Sequence, residues 1–189
     1  MQLFQRPWNS IATECEDTIG PAGFAWVLTS PPQEHITGEE WWTSYQPVSY
    51  ELTSKLGTKN EFADMVARCG AAGVDVVADA VINHMAGIGE GTGFAGTEFT
   101  HEEHPGLYEP ADFHDCGLTD DNDIADYTSR EQVQTCELVN LADLDTGSPT
   151  VHRNTADYLP SMLDLGVVGF RIAAAKPMAA DDVQALVHP

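Results

Sequence analysis

Apolar positions along the chain fall into short blocks with two different periods. Ile11, Cys15 and Ile19 stand four apart in IATECEDTI, which predicts a short helix over 11–19. GPAGFAWVLTSPP reads as a turn, a buried strand through Phe24–Leu28 and a loop stopped by proline. Phe62, Met65, Val66 and Cys69 share one face of a helix predicted at about 60–72. Val76–Val81 is apolar except for Asp79, as expected of a strand covered on both faces of a parallel sheet. Val151, Tyr158, Leu159, Met162 and Leu163 predict a helix over 150–165 that leads into GVVGFRIAAA, a further buried strand. Gln2–Phe4 reads as a strand remnant, and Ala179–Leu186 as the start of a last helix.

Strand and helix alternate, so the class is α/β with a parallel sheet. Between Met85 and about Thr146 the chain is rich in Gly, acid and His and has little periodicity. That is too long for an ordinary loop and predicts an inserted subdomain. The expected division is 1–84, 85–146 and 147–189, with the middle part inserted. An eight-fold barrel typically needs ~250 residues, so 189 residues predict part of one.

Charge narrows the partners. Thirty Asp and Glu against 8 Lys and Arg give a net charge of −22, which argues against nucleic acid and anionic membrane surfaces. An apolar share of 42% argues against wholesale disorder. No apolar run reaches membrane-spanning length. The opening MQLFQRPW lacks the basic start and apolar stretch of a signal peptide. Either the protein is intracellular or its chain starts after a removed segment. Residues 90–145 hold 15 of the 30 acids and only Arg130 as a base. Most of these acids suit a solvated, salt-adapted surface; a few suit calcium, which takes carboxylate and amide oxygens.

Cys15, Cys69, Cys116 and Cys136 show no CxxC spacing, which argues against a thiolate zinc site. Two disulfides, in any of three pairings, would imply an oxidising compartment; four buried thiols are the alternative. Three polar clusters follow predicted strands, where parallel α/β folds bind ligands. Trp41, Trp42, Tyr45 and Tyr50 lie in WWTSYQPVSY and suit stacking on sugar rings, or else a core plug or interface patch. Asp79, Asn83 and His84 end one strand, and a lone Asp in an apolar strand is costly unless partnered. Arg171 to Lys176 end another, with Arg171 inside a strand read as buried. HEEH at 101–104 and His114 could mimic a metal site within the acid-rich stretch.

Taken together, these clusters resemble the alpha-amylases of glycoside hydrolase family 13, of the animal and actinomycete type. DAVINH at 79–84 is similar to the family's first signature, and GFRIAAAKP at 169–177 to its second, usually GFRIDAAKH. SPPQEHI, CELVNLADLDTG and the cysteine spacing fit as well, so the resemblance runs over nearly the whole chain. It implies a partial (β/α)8 TIM barrel, about the first four strands, with a calcium-binding subdomain inserted after strand 3. It also implies a secreted, calcium-dependent enzyme that hydrolyses internal α-1,4-glucosidic bonds of starch.

By resemblance Asn83, the Gln134 carbonyl, Asp143 and the carbonyl of Pro177 would hold calcium. Trp41, Trp42, Tyr45, Gln46, His84 and Lys176 would line sugar subsites beside the buried Asp79. Arg171 would contact chloride, and the cysteines would pair Cys15–Cys69 and Cys116–Cys136. Two departures matter: Ala173 stands where the family has its nucleophilic aspartate, and Pro177 where it has a histidine. The family's remaining catalytic carboxylates lie on strands beyond these residues. The expectation is a chain inactive alone, with a non-catalytic, calcium-stapled carbohydrate-binding module as the alternative. Its expected partners are starch or malto-oligosaccharide, and self-association or a complementary C-terminal half.

Overall fold

The computed structural model describes residues 1–187. The elements run β1 (Gln2–Leu3), α1 (Trp8–Glu14), β2 (Trp26–Thr29), α2 (Lys59–Ala71) and β3 (Asp75–Val81). Then come β4 (Glu90–Thr92), β5 (Glu98–Thr100), α3 (Arg130–Thr135), α4 (Pro149–Leu163), β6 (Gly169–Ala173) and α5 (Ala180–Val187). Strands β1, β2, β3 and β6 pair in that order, all parallel. The result is an open parallel sheet backed by helices, a partial (β/α) barrel rather than a closed one.

Alternation along β3 decides which side chains meet the helices. Val76, Ala78 and Ala80 join Val27, Ile11, Phe62, Met65 and Met162 in the main core. Asp79 has the opposite parity and therefore points to the other face, beside its neighbour Arg171 on β6. Helix α2 starts where its sequence says it should. Thr58 Oγ1 accepts from the Glu61 N–H at 3.3 Å while Glu61 Oε2 accepts from the Thr58 N–H at 2.8 Å. Ser148 caps α4 through the Val151 N–H at 3.2 Å, and Pro149 takes the first helical position.

Cys15 bonds Cys69 and Cys116 bonds Cys136, as the resemblance implied. The first ties α2 to the turn after α1 and sits in the main core. For separations of 54 and 20 residues, chain entropy gives about 4 and about 3 kcal/mol.

Three expectations need correcting. The helix expected over 11–19 begins at Trp8, and after Glu14 its turns widen, with Gly20 N–H reaching Cys15 O at 2.9 Å. The segment Phe24–Leu28 is not a strand buried on both faces. Pairing starts at Trp26, and Phe24 and Trp26 are 43% and 50% exposed, because only Val27 and Thr29 turn toward the helices. Arg171 is not buried either: its side chain is 48% exposed, because β6 is an edge strand.

Residues between β3 and α4 fold around small cores of their own. One joins Met85, Tyr108, Phe113 and Leu144; another joins Ile124, Val133 and Cys136. Strands β4 and β5 form an antiparallel pair, and His84 and Asp143 bridge this region back to the end of β3.

Candidate functional site

At the C-terminal end of the sheet lies a cleft of about 460 Å³, bounded by Trp41, Tyr45, His84, Leu141, Arg171 and Ala173. Each wall is positioned from below. Residues Trp41–Tyr45 form a tight 3-10 turn, held by two side chains. Lys55 Nζ donates to Glu40 O at 2.6 Å and Thr43 Oγ1 at 2.8 Å, and buried Gln33 Nε2 donates to Ser44 O at 3.1 Å. Trp41 is 56% exposed and packs edge-on to Tyr45 at 6.0 Å, which excludes the core-plug alternative for it. Phe4 joins these two rings at 5.8 and 6.4 Å.

The floor is polar. Asp79 Oδ2 accepts from Tyr45 Oη at 2.8 Å and from Arg171 Nη1 at 2.5 Å. Burial pushes the Asp79 carboxyl above its usual range, against the lowering pull of Tyr45 and Arg171. Burial and the neighbouring Asp79 charge raise the Tyr45 phenol, so it stays a donor. His84 is also buried; its Nε2–H donates to Tyr45 O at 3.0 Å, and desolvation takes its pKa down to about 4. It is therefore a neutral imidazole at ordinary pH. Ala173 is buried opposite Val81, two residues beyond Arg171 on the same strand face. Among the described residues no aspartate or glutamate lines this cleft.

Not every sugar-site candidate reaches the cleft. Trp42 is exposed but lies outside the lining, as does exposed Lys176. Gln46 turns away: its Oε1 accepts from the Gly87 N–H at 3.0 Å. Phe4 and Leu141 line the cleft without having been singled out, because nothing in their local sequence marks them.

The calcium set that the resemblance implies can be tested on its donors. Asn83 Nδ2 donates to Asp143 Oδ1 at 3.1 Å, joining residues 60 apart. Gln134 Nε2 reaches Met178 O at 3.5 Å, which brings α3 beside the Pro177–Met178 backbone. The donors are one carboxylate, one amide and two carbonyls, all oxygen, as a hard cation requires. Asp143 is buried, its pKa is raised to about 6 by desolvation, and His114 Nδ1 donates to its Oδ2 at 2.8 Å. A buried carboxylate so disfavoured as an anion suits a cation partner, so the residues fit.

The other histidines diverge. His101 pairs with buried Glu137 at 2.9 Å, whereas His104 donates to Val48 O. No group of three or more His, Cys, Asp or Glu side chains among the described residues could hold a metal. Nor is any helix long and apolar enough to cross a membrane.

Comparison with known proteins agrees with this geometry. The alpha-amylase catalytic domain matches residues 27–185. An alpha-amylase from Streptomyces violaceus is 53% identical over 181 residues, covering 96% of this chain and 31% of its own length. An alpha-amylase-related protein from Drosophila bipectinata is 46% identical, over 97% of this chain and 37% of its own. Alpha-amylase I from Eisenia fetida, solved as a mutant with maltohexaose, superposes with a TM-score of 0.94 at 37% identity. It covers 98% of this chain and 39% of that one. The chain thus spans about a third of the length of the curated relatives it matches. With 159 of its residues inside that catalytic domain, the chain belongs to the alpha-amylase family.

Proposed function

We infer that this chain forms the glucan-binding wall of an alpha-amylase-type glycoside hydrolase acting on internal α-1,4-glucosidic bonds of starch. The observation that carries the reading is the single cleft in which Trp41, Tyr45, His84, Arg171 and Ala173 meet. An aromatic ring beside fixed polar groups suits a sugar, whose C–H face is apolar and whose edge is hydroxylated. Hydrolysis with retention needs two carboxyl groups about 5–5.5 Å apart. Here Asp79 is buried outside the lining and already held by Tyr45 and Arg171, and Ala173 brings none. These residues therefore bind glucan and do not cleave it unaided.

Calcium at Asn83, Gln134, Asp143 and Pro177 would tie the inserted residues to the barrel strands. Arg171, with only Nη1 engaged by Asp79, would face chloride or another small anion with its remaining N–H groups. Two disulfides support an oxidising, extracellular setting. The open edge of β6 is where a further strand would pair.

Titration calorimetry with maltotriose and maltoheptaose, alongside a soluble-starch assay, tests this reading. Binding without release of reducing ends is expected. Absence of binding to either sugar, or turnover by this chain at enzymatic rates, would overturn it.

A further inference from the structure

We propose that the hydroxyl of Tyr158, on α4 in the main core, acts through Gln33 to position the Trp41–Tyr45 turn and so sets the affinity of the cleft for glucan. The proposal rests on the cleft being a glucan site. It adds two positioning residues that lie outside the lining of that cleft.

Tyr158 occupies a core position of its helix. Val151, Thr155, Tyr158 and Met162 follow the helical period and are all buried. The Tyr158 ring stacks on Tyr50, with centroids 4.3 Å apart. Phenylalanine would satisfy that packing. What tyrosine adds is one hydroxyl, and a buried hydroxyl needs a partner. That partner is 125 residues away: Tyr158 Oη donates to Gln33 Oε1 at 3.1 Å. Burial pushes the Tyr158 phenol well above its ordinary range, so it keeps the proton it donates.

Gln33 is fully buried, and its amide has one workable orientation. Its Nε2 donates to Ser44 O at 3.1 Å. A carbonyl can only accept, so Oε1 must turn to Tyr158. Ser44 is also fully buried, in the middle of the turn, and its Oγ donates to Gln5 Oε1 at 3.2 Å. Asp79 and His84 hold Tyr45 at its hydroxyl and its carbonyl, and Lys55 holds the opening of the turn. Gln33 joins the middle of the turn's backbone to the core. Its neighbour Glu34, equally buried, clamps the inserted residues instead: its Oε1 accepts from Ala95 N–H at 2.8 Å and Thr97 N–H at 3.2 Å.

Removing the Tyr158 hydroxyl leaves Gln33 Oε1 a buried acceptor without a donor, which is costly. Turning the amide to relieve that cost would release Ser44 O. The rings of Trp41 and Tyr45 would then be less ordered before binding, and the cost of ordering them would fall on the binding step.

The test compares the full chain with Tyr158→Phe, Gln33→Leu, the double variant and Val66→Ala, a truncation in the main core that controls for lost stability. Maltotriose affinity is measured by calorimetry, and exchange of the backbone amides of 41–46 by mass spectrometry. Tyr158→Phe should weaken maltotriose binding about 3- to 10-fold, the worth of one hydrogen bond between neutral groups, and speed exchange of 41–46 by a similar factor. Gln33→Leu should do the same. Adding Tyr158→Phe to it should change nothing further, because the hydroxyl acts only through the amide. Val66→Ala should lower the melting temperature and leave both readouts unchanged. Unaltered affinity and exchange in Tyr158→Phe would overturn the proposal, as would additive losses in the double variant or equal losses in Val66→Ala. Absence of maltotriose binding to the unsubstituted chain would sink the reading of the cleft, while exchange at 41–46 would still decide whether Tyr158 positions the turn.

Discussion

Tyr45 and Arg171 converge on a single oxygen: both donate to Asp79 Oδ2, at 2.8 and 2.5 Å. The other oxygen, Oδ1, is buried without a partner. Asp79 thus depends on two donors carried by different elements, one on the tryptophan turn and one on the edge strand. The dependence is unequal, because the Asp79 side chain is 1% exposed and that of Arg171 48%.

Removing the exposed partner should therefore hurt more than neutralising the buried one. Arg171→Ala leaves a buried carboxylate held by Tyr45 alone and should cost about 2–3 kcal/mol at pH 7. That lies at or below the range for fully buried pairs, since half of Arg171 is already in water. Asp79→Asn keeps the shape and an acceptor, and should cost about 1 kcal/mol. In the Arg171 variant the Asp79 pKa is raised further above its unfolded value, so the penalty is present above the folded pKa and shrinks as pH falls. Urea unfolding at pH 7 and pH 5 measures both; equal costs, or a penalty growing toward acid, would refute the account.

The buried His35 sets an acid limit on stability. Burial lowers its pKa below the ordinary 6.5, outweighing its bond to Ile36 O and the nearby Glu34 charge, while Lys55 lowers it further. Between the folded and unfolded pKa values the unfolded chain binds more protons, so this contribution is full above about 6.5 and lost as pH falls. His35→Gln should be less stable at pH 7 and show a shallower decline toward pH 5. Thermal melts across that range decide it, and parallel curves for both proteins would count against the assignment.

Much of this was readable from the chain. β3 and α2 followed from an apolar run and a capped amphipathic face, because Val76, Ala78 and Ala80 of the one and Phe62, Met65, Val66 and Cys69 of the other pack into the main core. The pair β4–β5 was invisible, since EGT and EFT are too short and polar to show alternation. Helix α3 carried one overlooked signal, Ser129, whose side chain accepts from Gln132 N–H at 3.3 Å. Asp79 stood out as a lone charge in an apolar strand, whereas Glu34 did not: a buried clamp in a polar loop leaves no periodic trace. The exposure of Arg171 depends on β6 being an edge, which is a property of the sheet and not of the segment.

The two disulfides should differ in access. Cys15 and Cys69 are both fully buried in the main core, whereas Cys116 is partly exposed in the inserted region. Mild reductant on the folded protein should open Cys116–Cys136 first, because thiolate attack needs access to a sulfur. Alkylation followed by mass spectrometry reads the order. Labelling of Cys15 and Cys69 at the same rate would show that the core opens as readily as the insertion.

Salt should stabilise the protein. Residues 90–145 place 15 acids against one base, and raising ionic strength from 0.1 M to 1 M shortens the Debye length from about 10 to about 3 Å. Melting temperature in KCl should climb over that interval. A flat or falling curve would mean that the acids are well dispersed or already matched by bound cations.

Ala173→Asp tests the chemistry of the cleft most directly. The substitution places a carboxylate beside Val81, on the strand face that carries Arg171, whose cationic group would favour its ionised form. Attack on a sugar carbon would then have an oxygen of the right kind, but the departing oxygen must still receive a proton. A positioned general acid is typically worth 10²–10⁴-fold. No other carboxyl lines the cleft among the described residues, and Asp79 is committed to Tyr45 and Arg171. Maltoheptaose affinity should therefore shift by only a fewfold while turnover stays at background. Reducing-end assays on purified Ala173→Asp decide the matter. Starch cleavage at enzymatic rates by this single substitution would mean that Asp79, or an acid from the inserted residues, can reach the leaving group, and the floor of the cleft would have to be far more mobile than its bonds imply.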